Sequence, residues 1–335
     1  MTETSAILVI GPRWVGDMVM AQCLFSALKE RYPDAAIDVM APAWAGPLVE
    51  RMPEVRARLD APFSRGKLEI GARRQIGRAL RDRYQRAYVM QGNWKSALVP
   101  FFAGIRHRVG NLREFRYGLL TDIVPLPKEL KRQTARAFFG LARSGTFRTP
   151  HLRVDAGNQS ALFERFGLNR GGYVVLMPGA EYGPAKRWPA RHYAALAGAL
   201  MARGLKVALL GSANDKPVTG EIAALAPGAM DLAGATRLED AIDLIGGASL
   251  AVSNDSGLMH VAAAVRTPIV AIFGSTSPDN TPPLTESREL VTLRLDCSPC
   301  HEKTCPLGHM NCLNLLGVEM VLGAADRLLA MRPDA

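Results

Sequence analysis

The sequence predicts an α/β protein built from two doubly wound, Rossmann-like units. Three observations predict it. The chain has 335 residues, room for two domains at roughly 150 residues each. Apolar runs of strand length alternate with segments of helical spacing in both halves, the pattern of a parallel sheet crossed by helices. Gly, Pro, Asn, Asp and Ser gather where those runs end. With 48% hydrophobic and 21% charged residues, each half can bury a core without disulfide staples, which excludes a disordered chain.

In the first half, residues 6–10 form a strand-length run, and Gly11-Pro-Arg-Trp-Val-Gly16 is a turn. From Asp17 onward, Met18, Cys23, Leu24 and Leu28 recur at helical spacing. Residues 34–40 and 88–90 read as further strands. In the second half, strands are expected at 173–177, 206–210, 250–253 and 268–273. Helices are expected from Pro189 or Arg191 to Arg203, from Leu238 to Gly246, from Asn254 through Val265, and from Gly317 onward. Glycines at 145, 157, 171 and 172 interrupt the pattern, so the domains are drawn as 1–155 and 165–316, followed by a terminal segment 317–335. The apolar run 96–105, and the run after His260 that Arg266 breaks, fall short of the ~20 residues of a membrane span. The first residues lack the basic start of a signal peptide, and a cytoplasmic protein is expected.

The formal net charge of +10 is unevenly spread: residues 51–150 alone hold 22 basic and 7 acidic side chains. Such a field attracts an anionic partner or simply solvates the surface. A nucleic-acid-binding protein is one rival reading, weakened by 7% aromatic content and the lack of a recognition motif.

Ligands of open α/β sheets bind beyond the carboxyl ends of the strands, and four segments there carry chemistry. Gly11-Pro-Arg-Trp-Val-Gly-Asp17 is neither G-x-G-x-x-G nor a P-loop, which also weakens the rival reading as an NAD-dependent oxidoreductase. Asp17 is a candidate general base for a hydroxyl substrate, or a helix cap. Lys186 and Arg187 in Pro184-Ala-Lys-Arg-Trp188 are a candidate phosphate grip or a solvent-facing pair. Ser253-Asn-Asp-Ser-Gly-Leu-Met-His260 opens a helix whose free amides suit an anion. In it, Asp255 is a cap or a grip on sugar hydroxyls, and His260 is either structural or part of the site. Cys297, Cys300, Cys305 and Cys312 follow a C-x2-C-x4-C-x6-C spacing; the readings are a structural zinc site, reduced thiols, or a disulfide or iron–sulfur role. Cys23 reads as core.

Five ordered stretches resemble the type II lipopolysaccharide heptosyltransferases of glycosyltransferase family 9. They are residues 10–18, 96–104 and 178–189, Asn254-Asp-Ser-Gly-Leu-Met-His260, and Ser277-Pro-Asp279 with Thr281-Pro-Pro283. The resemblance implies a GT-B architecture of two Rossmann-like domains facing across a cleft, the first binding the acceptor, the second the nucleotide sugar, with the final helix crossing back. It implies inverting transfer from ADP-L-glycero-D-manno-heptose to the first heptose of the Kdo–lipid A core, an α-1,3 link and no catalytic cofactor; a relative acting on Kdo itself is the alternative within the family. By position it gives Asp17 as base and Lys186, Asp231, Asp255, Ser256, Gly257 and His260 as donor-binding residues. It lends the cysteines no role. Lys95, Arg106, Arg113 and Arg116 are candidate acceptor contacts, and the basic first half suits an anionic glycolipid at the cytoplasmic face of the inner membrane.

Overall fold

The computed structural model describes residues 6–64 and 66–331. They divide into two compact units, Met1–Pro150 and His151–Ala335. The break falls before the boundary drawn at 155, and the segment left between the two drawn domains is helical: Gly157 and Asn158 form a first turn, and the Asp155 carboxylate accepts both of their N–H groups, at 3.0 and 3.1 Å.

The first unit is a six-stranded sheet of β1 (Ile7–Ile10), β2 (Ile37–Ala41), β3 (Val55–Asp60), β4 (Arg86–Val89), β5 (His107–Asn111) and β6 (Asp122–Val124). All pairings are parallel and the order is β3-β2-β1-β4-β5-β6. Its helices are α1 (Val15–Arg31), α2 (Gly46–Glu50), α3 (Ile70–Ala79), α4 (Leu98–Phe102) and α5 (Thr134–Phe139). β1 is buried along its whole length, as the uninterrupted Ile-Leu-Val-Ile run requires of a strand covered on both faces.

The second unit repeats the plan with β7 (Tyr173–Met177), β8 (Lys206–Leu209), β9 (Met230–Asp231), β10 (Leu250–Asn254), β11 (Ile269–Ile272) and β12 (Arg288–Val291), again parallel, in the order β12-β11-β10-β7-β8-β9. Its helices are α6 (Ala156–Phe166), α7 (Ala190–Met201), α8 (Lys216–Leu225), α9 (Leu238–Gly247), α10 (Gly257–Ala264), α11 (Asn311–Asn314) and α12 (Val318–Ala330). The core joins Val174, Leu176, Leu209, Val252 and Ile272 of the sheet to Leu196 and Leu200 of α7.

The final helix, α12, packs on α7, β10, β11 and β12 of its own unit. Its apolar stripe Val321, Ala324, Ala325 and Leu328 is buried in that core, and Arg327 pairs with Glu289 of β12 at 2.9 Å. Among the described residues no helix is long and apolar enough to cross a membrane.

Candidate functional sites in the two units

Each sheet reverses its winding between two neighbouring strands, β1 and β4 in the first unit, β7 and β10 in the second. The loops leaving such a pair splay apart and leave a crevice for ligand. Most of the sequence motifs lie on these loops.

In the first unit the loop after β1 carries Asp17. Gly11 accepts no side chain: a Cβ there would meet the Met18 methyl at 2.9 Å and Val39 at 3.2 Å. The helix begins at Val15 with Trp14 in the cap position, so Asp17 is not the cap but the third residue of α1, half-buried in its first turn. The loop after β4 braces this segment. Gln91 donates from Nε2 to the Gly11 carbonyl at 2.6 Å, and its own carbonyl accepts from Arg116 at 2.6 Å and from Ser96 at 3.2 Å.

The candidate acceptor residues scatter. Lys95 and Arg113 leave the carboxyl side of β4 and β5, and Lys95 donates to the Gly66 carbonyl at 2.6 Å. Arg106 precedes β5 and so stands at the opposite, amino end of a wholly parallel sheet from Asp17. Arg116 is only 1% exposed. Its guanidinium holds the carbonyls of Gln91 and Asn111, its Nε has no partner, and burial lowers its pKa to about 10, still charged at neutral pH. Arg116 is an internal brace, because a cation so enclosed cannot reach a soluble ligand. Gln91 was missed by sequence reasoning, which gave the residue only a place in a loop. Replacing Gln91 by Leu should lower turnover by roughly 10- to 100-fold through displacement of the Asp17 loop while donor affinity holds; wild-type turnover would show the brace to be idle.

In the second unit the loops after β7 and β10 meet. Asn254 stitches them: its amide donates to the Pro178 carbonyl at 2.6 Å and accepts from the Trp188 N–H at 3.0 Å and the Tyr193 hydroxyl at 3.2 Å. Lys186 then reaches Asp255, Nζ to Oδ2, at 2.6 Å. Thr276, from the loop after β11, donates to the same Oδ2 at 2.7 Å, and the Lys186 ammonium lies 4.9 Å from the Tyr182 ring centre. Thr276 and Tyr182 gave no separate signal in the sequence beyond standing near strand ends. An ammonium has three donors, so at least one is left for a ligand. The cap of α10 is Ser256, not Asp255, and its side chain makes no cap hydrogen bond; the first amides of the helix keep their partial positive charge. Arg187 turns away, donating to the Ala180 carbonyl at 3.2 Å. Asp231 ends the edge strand β9, at the carboxyl end of the same sheet, where its carboxylate accepts the Ala233 N–H at 3.1 Å.

His260 is buried on α10. Desolvation lowers its pKa from 6.5 to about 4, with Asp255 opposing the shift and Lys186 adding to it, so the imidazole is neutral at pH 7. A depressed histidine makes the unfolded chain bind more protons between those two values, and stability falls as the pH drops through that window. Wild-type protein should therefore lose up to a few kcal/mol in urea unfolding between neutrality and about pH 4, and His260→Gln should lose less; equal losses would remove His260 from the account.

Among the described residues no group of three or more His, Cys, Asp or Glu is placed to hold a metal ion, so structural zinc, one of the readings open for the cysteines, gains no support. The thiols are free and half-buried. Cys312 instead packs against the core of the second unit, and desolvation raises its pKa. Cys305 is held low chiefly by the Met310 amide. The segment is pinned by its backbone: His301 N–H donates to Ser275 at 2.7 Å, Ala185 N–H to Lys303 at 3.1 Å, and the Tyr182 hydroxyl to His301 at 2.9 Å. It thereby supports the loop that carries Lys186.

Two Rossmann-like units with polar side chains gathered on their switch-point loops suit a glycosyltransferase, and the likeness to known proteins places the chain in that class. The sequence profile of glycosyltransferase family 9 (heptosyltransferase) matches residues 73–311, and the chain belongs to that family. It is 48% identical over 305 residues to lipopolysaccharide heptosyltransferase 2 of Escherichia coli K12, covering 86% of this chain and 88% of that one. It is 44% identical, with the same coverage, to lipooligosaccharide heptosyltransferase 2 of Haemophilus influenzae. The solved structure of ADP-heptose LPS heptosyltransferase II from E. coli superposes with a TM-score of 0.86 and 42% identity, over 97% of this chain and 98% of that one.

Proposed function

We propose that this chain is an inverting heptosyltransferase of lipopolysaccharide core synthesis, moving L-glycero-D-manno-heptose from its ADP conjugate to the first heptose of the inner core with an α-1,3 link. The observation that carries the reading is the Lys186–Asp255–Thr276 cluster beside the uncapped start of α10, in a chain whose relatives at 44–48% identity bear the type 2 name.

In the proposed step the acceptor hydroxyl attacks the anomeric carbon from the face opposite the diphosphate. A new C–O bond forms, the bond to the diphosphate oxygen breaks, and ADP leaves with that electron pair. Asp17 takes the hydroxyl proton. Lys186 and the amides of Ser256 and Gly257 meet the charge that grows on the leaving group, where fixed donors are worth most. Asp255 holds Lys186 in place, buried neutral His260 feels the charge of both, and Asp231 receives the adenosine ribose. Lys95 and Arg113 are the acceptor contacts that remain after Arg106 and Arg116 are set aside. The chain works in the cytoplasm, on the anionic inner face of the membrane that carries the acceptor.

The test is transfer of heptose from ADP-heptose to a purified core truncated after the first heptose. Product with the α-1,3 link is expected. Transfer only to a core ending in Kdo would assign the type I reaction instead, and nicotinamide binding without transfer would overturn the reading.

A further inference from the structure

The first unit holds a groove of about 530 Å³ between α3 and α4. Its walls are Ile70, Arg74, Arg78, Arg81, Phe101 and Phe102. Arg74, Arg78 and Arg81 follow one another at helical spacing (i, i+4, i+7), so their guanidinium groups line one edge. The fourth arginine of this stretch points the other way: Arg73 is buried, bound to the carbonyls of Leu68 and Lys95 at 2.6 and 3.1 Å and stacked 3.9 Å over Phe63. The groove arginines have no such use. Among the described residues none of the three guanidinium groups has an ion pair or hydrogen bond, and no carboxylate lines the groove. The opposite edge is apolar and exposed, Ile70 at 52% and Phe101 at 43%. The two helices are locked side by side by Gly77, where a Cβ would meet Phe102 at 2.6 Å and the Val99 carbonyl at 2.8 Å.

Neither catalysis nor the core accounts for three unpaired cations beside exposed apolar side chains. We infer that this groove is the surface by which the chain docks on a bilayer of anionic phospholipids: the guanidinium groups take headgroup phosphates, and Ile70 and Phe101 enter the acyl boundary. Guanidinium forks match phosphate oxygens, and an apolar edge next to cations is the composition of an interfacial element. A nucleic-acid strand fits less well. Its bases need open aromatic faces, and the Arg108 guanidinium already lies over the Phe101 ring at 5.6 Å. The inference rests on the reading that the acceptor is a membrane glycolipid, and extends it by naming the surface that brings the enzyme there.

The test uses full-length protein sedimented with vesicles of phosphatidylcholine alone or mixed with phosphatidylglycerol. Wild-type protein should bind the anionic vesicles far better, and added salt should weaken that binding. The triple variant Arg74→Gln/Arg78→Gln/Arg81→Gln should bind them roughly 100-fold less, at ~1 kcal/mol for each basic residue near the surface. It should still transfer heptose at the wild-type rate to a water-soluble, deacylated acceptor. Should the triple variant melt early, Arg78→Gln alone should give roughly a 5-fold loss, and Phe101→Ser a loss that salt does not alter. Wild-type binding by the triple variant, no preference of wild-type protein for anionic vesicles, or salt-sensitive binding to RNA in place of vesicles would each overturn the inference. Failure of wild-type protein to use the deacylated acceptor would overturn the proposed function, and the vesicle measurements would still decide this one.

Discussion

Asp17→Ala and Asp17→Asn should bind ADP-heptose as the wild type does and transfer almost none of it. In the proposed step Asp17 meets the acceptor hydroxyl and not the nucleotide sugar's diphosphate or ribose, so donor affinity measured by calorimetry should hold. Turnover should fall by about 10²–10⁴, the usual contribution of a positioned base. Asn keeps the size and loses the proton acceptor, which separates chemistry from packing. Asp17 has at least one interaction partner and is partly buried, so the Ala variant should also lose some stability. Near-normal turnover in either variant would end it.

Lys186→Ala should act twice. It removes the cation offered to the diphosphate, and ADP affinity should fall roughly 10- to 100-fold, as for a hydrogen bond to a charged group. It also strands Asp255, whose side chain is 6% exposed. Removing one partner of a buried pair typically costs ~3–5 kcal/mol, so the unfolding transition should move to markedly lower denaturant. Asp255→Asn, added to Lys186→Ala, removes the stranded charge and should recover part of the stability without recovering ADP affinity. Unchanged ADP affinity in Lys186→Ala would detach the lysine from donor binding.

Much of this was legible in the residues. The strands at 7–10, 173–177, 250–254 and 269–272 are buried parallel strands, and such strands announce themselves as uninterrupted apolar runs. The glycine-bearing loops that end them lie where ligands of open α/β sheets bind. Other strands left no such trace. β3 reads Val-Arg-Ala-Arg-Leu-Asp and is mostly uncovered, β9 has two residues, and β12 is an edge strand beginning Arg-Glu. At the edge of a sheet one flank meets solvent, so the apolar signal thins.

The site divides the same way. Asp17, Lys186 and Asp255 stand on turns that the chain itself dictates, because a strand end followed by Gly, Pro or small polar residues has few ways to proceed. The sequence could not tell that Arg116 is internal while Arg113 is exposed, that Gln91 reaches back to Gly11, or that Cys312 belongs to a core. Nor could it separate Arg73, turned inward, from Arg74, turned outward. Local pattern depends on neighbours in the chain and survives reading one residue at a time. Burial, the partner of a charge and the packing of a helix end depend on segments far apart in sequence, and only the folded sheet brings those together.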